Sequence, residues 1–416
     1  MASTSTETDE SSPSRRRRGL GALLGATGIS SLGDGMFYAA APLAAAAITR
    51  DPTAVAVVAA AEYLPWLIVA PFSGAYVDRW PKRATMIGAD LARAVVLGVL
   101  AFLLLADAAT IPMLAVCGFL IVAGSVFHTA AAEGVIADLT GRDEHLLHTV
   151  NGRQQALSTT GKQVLGPVTG SALFAWTTWI PFAGDAVSFL VSGLLLAKVP
   201  TQPPIPSAQR EGVFASIRTG ARFLLGHREL RTLCLLVGLA NLTYTMALAT
   251  FVLFATDRDG LGIDKAGYGL LLTAMALGGT VGGLLAARVA RLLGNRLTVV
   301  VGLLLEAAAW FVVPLLHNPY LAGAVLAVTS ASVAVVSVVV MGARQRLVPP
   351  ELLGRVISAF RAVGNGSAPL GAFLGGVIAT ISGLRAPMFT AAALLAATIS
   401  LAYIAVRPAS TAAETN

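Results

Sequence analysis

Charge is what this sequence has least of: Asp, Glu, Lys and Arg together make 12% of 416 residues, against 56% that are hydrophobic. So little polar surface cannot coat a soluble globule. Only two cysteines are present, Cys117 and Cys234, both deep in apolar segments, where they read as small packing residues; redox chemistry is not indicated. No Gly-x-x-x-x-Gly-Lys-Ser/Thr phosphate loop occurs, and no Cys or His cluster has metal-ligand spacing. ATP hydrolysis and metal catalysis therefore have no visible machinery, and no cofactor is expected. No nucleophile and base can be placed together, which speaks against an enzyme. The net charge of +7 does not indicate nucleic acid, because the basic residues are dispersed among loops instead of gathered on one face.

What the chain has in abundance is long apolar runs, with a mean hydropathy of +0.74. Taking about 20 apolar residues per crossing, spans fall near 19–47, 53–76, 84–106, 110–137, 153–177, 179–199, 230–256, 266–290, 297–317, 319–343, 352–380 and 386–407. The expected fold is an all-α polytopic membrane protein with twelve transmembrane helices. Residues 1–18 read as a disordered cytoplasmic tail: 1–14 are polar and aperiodic, and Arg15 to Arg18 anchor the first helix. The following run is too long for a signal-peptide core and carries Asp34 at its middle, so no cleavage is expected.

Lys and Arg collect in short cytoplasmic loops, and this tests the count. Only Arg50, Arg258, Lys265 and Arg385 fall at predicted outer ends, and Arg93 and Lys162 lie within spans; the rest of the 29 sit at or near inner ends. The reading is a multi-pass protein of the inner or plasma membrane with both termini cytoplasmic, expected to be a monomer. Residues 200–229 form a longer loop, Pro-rich and then basic, with a surface helix over 213–225. It separates a first bundle, 19–199, from a second, 230–407, with a tail at 408–416. The halves share weak similarity: Gly166-Pro167-Val168-Thr169-Gly170 in the fifth span corresponds to Pro369-Leu370-Gly371 with Gly375 and Gly376 in the eleventh. Two pseudo-symmetric six-helix bundles suit a site near the midplane and rocking between two access states.

The loop from Gly74 to Arg83 is a charged hairpin between apolar runs, and its single acid, Asp78, suits a latch to a neighbouring helix. Gly74-x-x-x-Asp78-Arg79-x-x-Lys82-Arg83 resembles the signature between the second and third helices of the major facilitator superfamily, with Pro81 where that pattern usually has Gly. Gly161 to Ser171, with Gly166, Pro167 and Gly170, looks like the fifth-helix motif of its antiporters, although Ser171 replaces the usual second Gly. Pro349-Pro350-Glu351-x-x-Gly354-Arg355-Val356, followed by Pro369-Leu370-Gly371, is similar to the eleventh-helix region of its siderophore and macrolide exporters. The resemblance covers residues 19–407 and implies a secondary transporter in which the first, fourth, seventh and tenth spans line a central cavity. Two departures stand out. The fourth span carries His128 and no Arg, and the second-half loop Arg288 to Arg296 lacks an acid matching Asp78.

Ionisable groups inside spans are costly and tend to face protein or water. Asp34 leads, with Ser31 and Tyr38 at helical spacing on one polar stripe. His128 is the second proton-coupling candidate, because imidazole exchanges protons near physiological pH. For each, the plain alternative is a hydrogen-bonded packing residue. Phe37 and Tyr38 on the first span, with Asn241 and Tyr244 on the seventh, are candidates to line the substrate cavity, although aromatics at such spacing also build cores. Asp90 and Arg93, one turn apart, read as a local pair and are grouped with Gly74, Asp78, Arg79, Lys82 and Arg83 as a cytoplasmic gate. Lys162 and Arg361 occupy comparable places in the two halves and would suit an anionic substrate or simply snorkel. Glu62, Glu133, Asp185 and Glu306 also fall within spans, with partners not readable from sequence.

The function expected is proton-driven export of small amphipathic molecules, a drug or a siderophore-like metabolite, with substrate, protons and the bilayer as its partners. A proton-coupled importer shares the fold but is disfavoured by the fifth-helix motif. A non-transporting membrane sensor that uses the basic loop for a partner is the alternative from a different class.

Overall fold

The computed structural model describes residues 13–77, 79–141, 143–200 and 213–405, and among them every regular element is helical. Twelve rods are arranged in chain order. They are α1 Pro13–Ile48; α2 Pro52–Ile68, continued as Ala70–Val77; α3 Lys82–Leu105; α4 Ile111–Thr140; and α5 Glu144–Thr159, a π turn Thr160–Leu165 and Gly166–Trp176. There follow α6 Ile180–Leu196, a linker helix Val213–Gly226, and α7 Arg228–Ala249 with Phe251–Thr256. The helix Lys265–Val312 is two rods, α8 and α9, broken at Gly294 where φ is 74°. α10 Pro319–Leu347, α11 Pro350–Ser382 and α12 Ala386–Ala405 complete the set.

Helices are what a bilayer demands, because each satisfies its own backbone polar groups where water cannot. Among the described residues, seven helical stretches are long and apolar enough to cross a membrane, and the stretch 265–315 holds two rods. The large apolar side chains that remain exposed, such as Val95 at 66%, Leu194 at 70% and Leu284 at 80%, lie along the rods, as a lipid-facing surface requires. Trp176 and Tyr320, both highly exposed, sit at rod ends, where amphipathic rings favour the headgroup level.

Two expectations are revised. The first helix begins at Pro13, not after Arg18: proline at the first helical position needs no N–H partner, and arginine is a good helix former. The connection between α8 and α9, expected to be a loop of several residues, is a single left-handed glycine in an otherwise continuous helix. Asp78, the tail at 408–416 and most of the expected disordered tail lie outside the described residues.

The described residues divide into two compact units, one within 1–49, 64–210 and 264–273, the other within 50–63, 211–263 and 274–416. α2 and α8 are each divided between them. In the first unit α1 packs on α5 and α6, and α3 on α4 and α6, around a core that includes Leu23, Met86, Ile136 and Leu196. In the second, α7 packs on α11 and α12, and the linker helix docks against α11, with Leu224 buried beside Leu230, Val356 and Phe360.

The glycines that carry the internal similarity do equivalent work in the two units. Pro167 has no N–H and its ring crowds the preceding turn, so α5 widens into a π turn just before it. Gly166 and Gly170 then lie directly on α1: a Cβ on either would stand 2.5 Å from Gly35 Cα or Met36 Cα. In the second unit a Cβ on Gly371 or Gly375 would stand 2.1 Å or 2.2 Å from the carbonyls of Leu242 and Met246 on α7. Gly170→Val should therefore lose roughly 1–3 kcal/mol or more of stability, as overpacking does. Gly21, with no atom within 4 Å of its hypothetical Cβ, should accept Ala at no cost. Thermal unfolding of the two variants in detergent checks the pair, and equal melting would mean the α1–α5 contact is not close.

Candidate functional site

The polar side chains of the first unit converge on α3. Asp90 is fully buried, and Arg93, one turn on, is 2% exposed. Arg93 Nη2 donates to Asp90 Oδ1, so the local pair expected from their spacing exists. Asp90 is held from two further helices: Ser192 Oγ on α6 donates to Oδ2 at 2.6 Å, and His128 Nδ1 on α4 lies 2.8 Å from Oδ1. The other face of Arg93 turns to α1, where Nη1 is 3.6 Å from Asp34 Oδ1. Its guanidinium carbon stands 3.9 Å from the centroid of the Phe189 ring on α6, a cation–π contact in a dry setting. Gly124 on α4 makes room for the arginine stem, since a Cβ there would come within 2.7 Å of Arg93 Cγ.

A third acid closes the cluster. Asp185 on α6 is fully buried and lies against α1 at Gly33, where a Cβ would stand 2.0 Å from Asp185 Oδ1. Ser188 Oγ donates to Oδ1 at 3.1 Å, whereas Oδ2 has no hydrogen-bond partner among the described residues. Asp34, Arg93 and Lys162 are its charged neighbours. Asp34 is the open member, with 18% of its side chain exposed. One guanidinium is thus shared among carboxylates from separate helices, and burial makes each of these charges expensive unless it is paired.

The expected site residues are distributed as follows. Asp34 and His128 join the same cluster through Arg93 and Asp90. Asp90 and Arg93 belong there too, set with α1, α4 and α6. In the hairpin, Lys82 Nζ pairs with Asp138 Oδ2 on α4 at 2.7 Å, Arg79 is exposed and Arg83 half-buried. Asp138 was missed because nothing in its local spacing marks a partner 56 residues away. The expected stripe on α1 is split between neighbours: Ser31 is buried against Gly161, while Asp34 meets α3. Phe37 is 5% exposed and packs edge-on against Phe182, with centroids 6.0 Å apart. Tyr38 is half-buried. In the second unit Asn241 donates from Nδ2 to Val237 O on its own helix, and Tyr244 meets Trp310 edge-on. Trp310 and Glu306 on α9 are buried, and neither Trp310 Nε1 nor Glu306 Oε1 has a hydrogen-bond partner among the described residues. No group of three or more His, Cys, Asp or Glu suited to a metal occurs among the described residues.

Removing the shared cation strands buried carboxylates. Arg93→Gln should cost about 3–5 kcal/mol, and adding Asp90→Asn should recover part of that loss. Asp34→Asn, at the open edge, should cost no more than about 1 kcal/mol. Thermal unfolding of the single and double variants in detergent gives the coupling, and strictly additive losses at residues 90 and 93 would contradict the pairing.

Residues 16–416 match the family described as transmembrane secretion effector. Among curated relatives, the enterobactin exporter EntS of Escherichia coli is 32% identical over 132 residues, 30% of either chain. An uncharacterised MFS-type transporter of Mycobacterium tuberculosis is 34% identical over 90 residues, 20% of either chain. The chain thus aligns with less than a third of the length of these relatives. Among solved structures, a bacterial homologue of the iron transporter ferroportin in an inward-facing state superposes with a TM-score of 0.75 at 15% identity, covering 94% of this chain and 99% of that one. A bacterial homologue of the human lysosomal transporter Spinster gives 0.71 at 14% identity, covering 95% and 97%. At such identities these structures attest the fold alone, and the fold is that of the major facilitator superfamily. The chain belongs to the transmembrane secretion effector family of that superfamily, and it is a multi-pass membrane protein.

Proposed function

We propose that the protein exports small amphipathic molecules, a drug or a siderophore-like metabolite, in exchange for protons. The observation that carries the reading is the buried cluster in which Arg93 is shared between Asp90 and Asp34, with His128 against Asp90. Ionisable groups are retained inside a bilayer when they move ions or protons, and this cluster has one half-open member through which water can reach it. Exchange of a proton within the cluster that Asp34 and His128 join changes how many carboxylates compete for one guanidinium. That is a means of biasing one packing of the helices over another. The glycine contact of Gly166 and Gly170 sets α1 against α5 within a turn of Asp34, so substrate-driven movement of α1 would be felt at the carboxylate.

Export is supported by the family's description and by the partial likeness to a siderophore exporter. The basic residues of the hairpin and of the linker helix favour a cytoplasmic placement for both, in the inner membrane of a bacterium, with both termini inside. The two sequence halves, 19–199 and 230–407, would act as rocking bundles, with Asp78, Arg79, Lys82 and Arg83 at the cytoplasmic gate and Tyr38, Asn241 and Tyr244 toward substrate. A monomer suffices. One proton crossing 100 mV releases roughly 2.3 kcal/mol, which sustains a gradient of about 40-fold in a neutral solute.

Cells producing the protein should extrude some members of a panel of antibiotics and siderophores, and an uncoupler should stop them. Asp34→Asn should abolish the uncoupler-sensitive part, and His128→Gln should flatten its dependence on pH. Efflux indifferent to the uncoupler would remove proton exchange from the mechanism, whereas accumulation by vesicles of known orientation in the import direction would reverse the assignment of direction.

A further inference from the structure

We propose that Asp185 Oδ2 is the atom that carries the exchanged proton, with Arg93 as the counter-charge that replaces the proton when it leaves. The inference rests on the antiport reading and names the site within it.

The three acids of the cluster differ in what an ionised carboxylate would find around it. Asp90 accepts from Arg93 on Oδ1 and from Ser192 on Oδ2, so both of its oxygens are met, and His128 Nδ1 lies 2.8 Å from Oδ1. Asp34 has Arg93 at 3.6 Å and is 18% open, so water serves its remaining lone pairs. Asp185 alone is closed to solvent with one oxygen bare: Ser188 reaches Oδ1, and nothing among the described residues reaches Oδ2. A charge left without a partner in such a place is among the costliest arrangements in a protein. Two things can remove that cost, a proton on Oδ2 or a cation drawn up to it.

The cation is at hand. The charged and titratable groups that face Asp185 are Asp34 from α1, Arg93 from α3 and Lys162 from the π turn of α5, with Asp90 and His128 beyond Arg93. Arg93 has a donor to spare, since its Nε is buried and without a hydrogen-bond partner among the described residues. When the Oδ2–H bond breaks, its electron pair stays on Oδ2, and the proton passes to water at the open edge beside Asp34. Arg93 then turns toward the new carboxylate and loosens from Asp34, and reprotonation returns it. Occupancy of one oxygen is thereby tied to whether α1 is bound to α3 through Asp34 and Arg93. Ser188 and Gly33 fix where Asp185 sits and act as positioning residues.

The test is infrared difference spectroscopy of the purified full-length chain in lipid vesicles as the bath pH is stepped from alkaline to acid. In a Glu306→Gln background, which removes the other buried carboxyl with a bare oxygen, the chain should show a high-frequency protonated-carboxyl band that titrates, set apart from the bands of exposed acids. Asp185→Asn should lack it, and Asp34→Asn should keep it. Ser188→Ala, which leaves Asp185 in place and removes the one donor to its ionised form, should move the midpoint to the alkaline side, corresponding to about tenfold tighter proton binding. A titrating band that survives in Asp185→Asn, or a midpoint unmoved in Ser188→Ala, would overturn the assignment. The two readings fail separately, because uncoupler-indifferent efflux counts against antiport, while survival of the band in Asp185→Asn counts against this site alone.

Discussion

The cost of holding a charge away from water governs the first unit of this membrane protein. Arg93, 2% exposed, is affordable only because Asp90 meets it directly, Phe189 lies under its plane and Asp34 approaches its far side. Two of those contacts come from other helices, so α1, α3 and α6 are tied by one side chain more specifically than apolar packing alone would tie them. Hydrocarbon side chains in lipid have no strong preference for each other over acyl tails, and small residues with polar contacts take over the task of choosing neighbours. The cluster and the glycine faces of α5 and α11 are those two devices in this chain.

The glycine faces and the charged cluster are also connected. Gly33 and Gly35 are on the same turns of α1 as Asp34, one receiving Asp185 from α6 and the other the π turn of α5. The closeness of α1 to both neighbours is what brings Asp34 within reach of Arg93. Bulk at any of these positions would act on the carboxylate through the backbone. The fifth-helix motif thus has a local physical role that requires no direct contact with a substrate.

The number of the rods was legible in the sequence because the membrane permits so little else. Apolar runs of the right length must be helical, and the breaks between them carry the charges. The paired glycine faces were also visible, as a repeated pattern in the fifth and eleventh spans. The partnership of Asp90 with Arg93 could be read from their spacing of three. What lay beyond reach was every contact between distant segments. Asp34 with Arg93, His128 with Asp90 and Lys82 with Asp138 are separated by tens of residues, and the choice among the acids of so many spans is made by packing. Nor does helical spacing, which says which residues share a face, say whether the face that carries Phe37 looks at protein or at an opening. Asp185 looked like one more acid in an apolar stretch until its bare oxygen and its single serine donor were seen together.

The π turn in α5 changes how that helix should be compared with others. It holds one more residue than an α-helical turn would, so the parts before and after it are out of phase by about 100° relative to a regular helix. Gly161 and Gly166, five residues apart, consequently share the side that meets α1. A helical wheel drawn through the whole of α5 would place them on diverging sides, and an alignment that removed one residue between 160 and 165 would leave both flanking faces where they are.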